Sequence, residues 1–507
     1  MTDLGGVLVT ALSLVGGWIG LWPVRGQIGR VGYPVVSYMI GLLAWPLATS
    51  LLSLAGTGFR PLVPVVLLTA ALFVVSTLVA RGSREAPAEG RATRAWHLVV
   101  WGCAVIGLSL AVDVTGLTSA GYDSLFHYEA WGVWLSETGT LTAEVIGLYG
   151  VFIPSLHAAS RYLGSDWTSV HYAVLSLHLA VLFAVAVREW SRRRVGAAAS
   201  WLITLGSTAL LVLTPRFFHH ILYVHSHMIT AAYLMLALFA IQRAYLGAGD
   251  VAAPPRADQR AAWLLVAGLA SAGLALTRTD GIAYVAALLV VGTLAYLASD
   301  TPTRDHALFV GAAALPIGLV YGASFAALGV WQATKLSGRT AGLVLAGLGV
   351  AAGITLVIGR VPHVGAWLRS PGRALALLTG LEVTAVLGLA TLDPDGFIES
   401  TANMVTNLFS TGGNGNLWFA AVAMVGLSLV WGSQFRAERW PLLLVAVIVQ
   451  FMVIAVAVHG VGHPGRLSPA DSFNRVSFHV IPLIFWYAAT VVTSLVAELR
   501  RVREGTE

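Results

Sequence analysis

Apolar runs of about twenty residues, the length a helix needs to cross a bilayer, recur from one end of this chain to the other. They fall at 4–22, 34–55, 61–80, 96–118, 168–187, 196–214, 226–242, 261–277, 282–299, 307–328, 341–358, 374–392, 417–432, 440–458 and 476–497. Lipid offers no hydrogen-bonding partner, so each run must satisfy its own backbone, and a helix does that within a single segment. The expected fold is all-α: a polytopic bundle of about fifteen transmembrane helices, forming one integral membrane domain over 1–507. Charged residues make up 11% of the chain, against roughly 25% in soluble domains. That is too few to cover a water-facing surface. The runs 261–277 and 282–299 share a tight turn and read as a hairpin of tilted or partly re-entrant helices.

The basic residues fix an orientation. With the N-terminus outside, alternate loops collect 22 of the 30 Lys and Arg residues on the inside and leave eight outside: Arg60, Arg161, Arg216, Arg278, Lys335, Arg339, Arg466 and Arg475. Short cytoplasmic loops carry such an excess, so the C-terminus is expected inside and the loops 119–167, 215–225, 393–416 and 459–475 outside. The cations stand apart from one another and lack interleaved aromatics, which excludes a nucleic-acid surface. Cys103 is the sole cysteine, so neither an intrachain disulfide nor a multi-thiolate zinc site is available. Residues 4–22 lack a charged leader segment and a small-residue cleavage site, and read as a retained helix.

The outside loops hold the residues suited to chemistry. In GYDSLFHYEAWGVWL, Asp123 follows a membrane span. A helix starting beside Ser124 would put Phe126, Ala130, Trp131 and Trp134 on one face, a juxtamembrane helix anchored by Trp. By itself Asp123 also suits a solvated helix cap. In TPRFFHHILYVHSHM, Arg216, His219, His220, His225 and His227 crowd the exit of one span and the entry of the next. Their spacing lacks a metal-binding pattern and suits the polar lining of a cavity, since His can be neutral at this depth. Arg278 and Asp280 interrupt an apolar stretch, either capping the hairpin as a pair or facing a water-filled site. Arg466 and Arg475 stand where topology disfavours cations, and a planar guanidinium suits a phosphate. Glu382, in mid-span, is a further intramembrane candidate.

Taken in order, these pieces resemble the C-type membrane glycosyltransferases, the superfamily of dolichyl-phosphate-mannose–protein mannosyltransferases and lipid A aminoarabinose transferases. Tyr122–Asp123–Ser124 with His127, Tyr128 and Trp131 resembles the acidic first-loop motif of that family. The segments Leu148–Tyr149 and Phe152–Ile153–Pro154–Ser155–Leu156 resemble the apolar stretch that follows it. LTRTDGIAYV resembles the family's Arg-x-(acid or Pro)-Gly break, and Arg475 through Pro482 its final Arg-containing segment. The likeness spans 96–497, with 1–95 as additional N-terminal helices. The family's second acid stands here as His225, and a divalent metal has no support in these residues.

The resemblance implies a sugar moved from a polyprenyl-phosphate-linked donor to an acceptor, which is a glycan, lipid or protein, outside a bacterial plasma membrane. It makes Asp123 the general base and the loop arginines the holders of the lipid phosphate, with no cofactor. Two other readings stay open. An O-antigen ligase or polymerase type of enzyme would lean on His219, His220 and Arg466, and a transporter or flippase would want paired charges near the bilayer centre. Reporter fusions at Thr140 and Gly505 should report opposite sides of the membrane, and matching signals would refute the orientation.

Overall fold

The computed structural model describes residues 3–29, 32–82, 95–116, 124–142, 150–223, 225–246, 257–278, 281–297, 299, 301–328, 361–368, 370–409, 423, 444, 447–450, 464–467 and 473–505. The described residues are almost wholly helical. In chain order the main helices are α1 (Leu4–Gly20), α2 (Gly32–Leu42), α3 (Ala44–Ala55), α4 (Leu62–Gly82), α5 (Ala95–Thr115) and α6 (Ala130–Thr138). Next come α7 (Phe152–Tyr162), α8 (Val170–Val195), α9 (Ala197–Leu213), α10 (Pro215–Leu222), α11 (Ser226–Ile241) and α12 (Ala257–Thr277). The last are α13 (Gly281–Leu297), α14 (Thr303–Leu328), α15 (Pro371–Leu392), α16 (Pro394–Phe409) and α17 (Ile481–Gly505).

Among the described residues eight helices are long and apolar enough to cross a membrane, or ten if each of two bent pairs is one span. The expected run at 341–358, all of 417–432 but Ala423, and most of 440–458 lie outside the described residues. The run 282–299 becomes α13, at 17 residues a shorter apolar helix than the spans proper. Two bends redirect the chain. Helix α1 turns by 60° into Trp22–Ile28, and α9 turns by 68° into the segment Pro215–Ile221. The second bend has a local cause. Thr214 is extended, and Pro215 opens α10 at a position where its missing N–H costs nothing.

The helices differ in how much of their surface meets other protein. Every residue of α2 and α11 is buried, and most of α12 is. By contrast α4 and α5 expose most of their surface, including Val63, Val66, Leu67, Val99, Val100 and Val114. An all-apolar helix sits either in the centre or against lipid, and this bundle holds both kinds. Helices α1 and α2 touch backbone to backbone. A methyl group on Gly17 would fall on the Ser37 carbonyl, and one on Gly41 on the Ser13 carbonyl. Small residues of this kind let membrane helices approach closely where no hydrophobic effect drives them together. The Trp45 indole donates to Ser13 Oγ at 2.8 Å, and the Tyr233 hydroxyl of α11 donates to the Met39 carbonyl of α2 at 2.5 Å.

Polar contacts separate the two ends of the bundle. At one end Arg188 donates to Ser200, Arg243 pairs with Glu189 at 3.0 Å, and Arg500 donates to the Val195 carbonyl. These join the far end of α8 to the start of α9, to the turn after α11 and to the last turns of α17. The opposite ends of the same helices carry the histidines. Gly41→Ala should therefore lower stability by about 1–3 kcal/mol through overpacking. Gly107→Ala, which meets nothing within 4 Å on exposed α5, should be neutral or stabilise by about 0.5–1 kcal/mol. Thermal unfolding in detergent measures both, and equal shifts would contradict the close contact of α1 with α2.

Candidate functional site

Four distant segments meet at the histidine-bearing end: the α9–α10 bend, the start of α11, the α12–α13 turn and the turn Ser477–Val480 before α17. Helix α10 is short and strongly two-sided. It buries Phe217 and His220 and leaves Phe218 and His219 exposed, with Arg216 half-buried. Phe217 packs edge-on against Phe478, ring centroids 5.9 Å apart, which seats the helix on the start of the last span.

The rings form a stack. His219 lies on Tyr223 at 4.9 Å, Tyr223 on His225 at 5.4 Å, and His225 on His227 at 4.0 Å with the two planes 4° apart. His227 Nδ1 shares a hydrogen bond of 2.9 Å with His479 Nε2, and His479 Nδ1 shares one of 3.0 Å with the Tyr284 hydroxyl. A neutral His479, bonded at both nitrogens, donates from one and accepts at the other, so the chain then runs in a single direction.

Three arginines surround the stack. Arg278, just beyond α12, donates to Ser226 Oγ at 3.1 Å and acts electrostatically on His227. Arg475 donates to the Tyr223 hydroxyl at 3.4 Å, and its charge acts on both Arg216 and His219. Guanidinium groups from segments 60 and more residues apart thus face one region where the apolar helices end. Planar forks in that arrangement can hold the oxygens of an anion. Among the described residues no three of His, Cys, Asp and Glu are placed as a metal site.

A second polar network adjoins the first. The Tyr128 ring meets the His225 ring edge-on at 5.4 Å. Its neighbour Glu129, at 8% exposure, receives His157 Nδ1 at 2.7 Å and Arg161 at 3.0 Å. His157 Nε2 lies 3.1 Å from the Tyr172 hydroxyl, and His171 bridges Thr10 and Ser160. Burial alone would raise the Glu129 carboxyl, but His157 and Arg161 together outweigh it and hold the group below its ordinary range.

Of the residues singled out in the sequence, Tyr128, Arg216, His219, His220, His225, His227, Arg278 and Arg475 come together here. His127 packs on Trp131 at 5.0 Å. Asp123, Asp280 and the side chains of Arg466 and Glu382 lie outside the described residues. The expected helix after Asp123 is present as a π-helical turn, Ser124–Glu129, running into α6. Sequence reasoning missed Glu129, His157, His479, Tyr223 and Tyr284. Glu129, Tyr223, Tyr284 and His479 stood inside the motifs singled out in the sequence, and an acidic residue between aromatics near a span was the available signal for the first. No family model, curated protein or solved structure matches the chain.

Because its folded pKa is depressed, Glu129 stabilises the fold above the ordinary glutamate value of 4.5, and that contribution is lost as pH falls through the depressed value. Glu129→Gln should lower stability at pH 7 by about 1–3 kcal/mol. The gap between the two proteins should close in unfolding scans carried progressively below pH 4.5. A gap that is unchanged at acid pH would contradict an ionised Glu129.

Proposed function

We propose that this chain is a polytopic membrane glycosyltransferase. It moves a sugar from a polyprenyl-phosphate-linked donor to an acceptor on the extracytoplasmic side. The observation that carries the reading is the meeting of Arg216, Arg278 and Arg475 beside a histidine–tyrosine stack where apolar helices end. Arginines grouped at a lipid boundary suit an anion that is itself joined to an apolar chain, as a polyprenyl phosphate is. The histidine end faces outward and the arginine-rich end faces the cytoplasm, which agrees with the 22-to-8 partition of basic residues. In this reading the full chain crosses the membrane about fifteen times.

The chemistry follows from the groups. The acceptor hydroxyl loses its proton to Asp123 as its oxygen bonds to the anomeric carbon. The bond from that carbon to the phosphate oxygen breaks, and the electron pair leaves with polyprenyl phosphate, whose charge the arginines stabilise. Attack opposite to the leaving group inverts the anomeric centre. The closeness of His219 and His220 to Arg216 supports one other reading, a ligase or polymerase type of enzyme in which histidine replaces Asp123 as base.

Purified protein in nanodiscs, given polyprenyl-phosphate sugars and an envelope extract as acceptor, tests the proposal. Transfer should be present in the wild type. It should fall about 10²–10⁴-fold in Asp123→Asn, the range for loss of general base catalysis, with unfolding temperature little changed. Arg475→Ala should weaken donor binding. A folded Asp123→Asn with near-normal turnover would remove Asp123 from the mechanism and favour the histidine reading.

A further inference from the structure

His220 is the one described histidine that is fully buried with a partner for neither ring nitrogen: it is 0% exposed, and both Nδ1 and Nε2 lack a hydrogen bond. Every imidazole carries at least one N–H, and in the neutral form it also carries one lone pair. Leaving a buried donor or acceptor unmet costs about 1–3 kcal/mol. Four other buried histidines avoid that cost at both ring nitrogens, whereas His306 leaves its Nε2 unmet and His220 alone among the described residues leaves both. His157 is met by Glu129 and Tyr172, His171 by Thr10 and Ser160, His178 by Trp101 and the Val174 carbonyl, and His479 by His227 and Tyr284. An unmet polar group at a site of this kind calls for a ligand.

The surroundings say which chemistry that ligand offers. The His220 ring packs at 4.4 Å on Phe478 and lies 5.3 Å from both His219 and His227. Arg216, one turn back on the same helix, and Arg475 are half-buried at the rim, whereas His220 is inaccessible to water. A phosphate belongs with the guanidinium groups. Deeper in, against Phe478, a charged oxygen would lose its hydration. A hydroxyl is neutral and brings both a donor and an acceptor, matching the N–H and the lone pair of a neutral imidazole.

We infer that His220 binds a hydroxyl of the transferred sugar, next to the phosphate held by Arg216 and Arg475, and so contributes to sugar selection. The inference rests on the reading of this end as a lipid-phosphate-sugar site, and it makes His220 a specificity-determining residue rather than a base. Burying an unpaired imidazole in the ligand-free protein is then a stability cost kept for binding.

The test uses the full chain in nanodiscs with farnesyl phosphate and a panel of farnesyl phosphoryl hexoses and pentoses. Wild type should bind at least one sugar-bearing lipid more tightly than farnesyl phosphate. His220→Leu, close in volume and apolar, should lose that preference by about tenfold, which is about 1.4 kcal/mol, while its affinity for farnesyl phosphate stays unchanged. Its ligand-free unfolding temperature should equal or exceed that of wild type. His220→Gln, which keeps a donor and an acceptor, should restore part of the preference. Arg475→Ala should weaken both kinds of lipid. Equal loss of both lipids in His220→Leu, or no loss of either, would overturn the role of His220 and leave the lipid-phosphate site standing. A wild type that binds farnesyl phosphate but does not favour any sugar-bearing lipid would do the same. A wild type that binds none of these lipids would overturn the functional reading and this inference with it.

Discussion

The carboxylate of Asp3 accepts hydrogen bonds from the backbone N–H groups of Ser169 (2.7 Å) and Val170 (2.9 Å), and from Ser165 Oγ and the Gly6 N–H. It caps α1 and the start of α8 at once, joining the first helix to one more than 160 residues away. Burial pushes this carboxyl above its ordinary range, against those hydrogen bonds. The residues that α8 presents next, His171 and Tyr172, engage Thr10, Ser160 and His157, and His157 engages Glu129. Glu129 adjoins Tyr128, whose ring meets His225 edge-on, and the contacts continue through His227 to His479 and Tyr284. A continuous set of hydrogen bonds and ring contacts thus runs from the beginning of the chain to its last helix. In a bundle whose outer helices are apolar and exposed, that network is what can hold loops in register at one end.

The membrane character of the chain was legible because it is a property of local composition. Runs such as 61–80 and 96–118 declare themselves through length and lack of charge, and the structure forms α4 and α5 there. Their position was not legible. The run 226–242 is less apolar than 61–80, with mean hydropathy 1.4 against 2.6 for the helices there, yet α11 is buried on every side and α4 is mostly exposed. In water, burial and polarity correlate. In lipid both environments are apolar, so high hydropathy does not mark a helix as central. The signal that does separate them is close packing of small residues, Ser13 and Gly17 against Ser37 and Gly41. It needs the pairing of two helices to be read.

The candidate site divides the same way. Arg475 stood out because a cation in an expected outside loop conflicts with the topology, Arg278 because it interrupts an apolar run, and Arg216 because it sits among histidines between two spans. Each of these is visible in a short stretch of sequence. Glu129 raised no conflict. An acid after a membrane exit passes for a solvated residue, and only His157, 28 positions on, and Arg161 make it a buried partner. His479 likewise sits in a quoted motif, but its role depends on His227, 252 positions earlier. Residues whose meaning lies in a distant partner are the ones a linear reading passes over.

The mixture of arginine and histidine at this end has an electrostatic logic. Arg216 and Arg475 already act unfavourably on one another, and each additional fixed cation at a low-dielectric boundary would add to that repulsion. Neutral imidazoles extend the polar wall without extending the charge. They offer donors and acceptors in flat rings that stack tightly, as His225 and His227 do at 4.0 Å. An anion placed between the arginines removes their repulsion, so their positions cost least when it is bound. The stacked rings keep the walls in place when it is not. The arginines supply the attraction in such a site, and the histidines supply the shape.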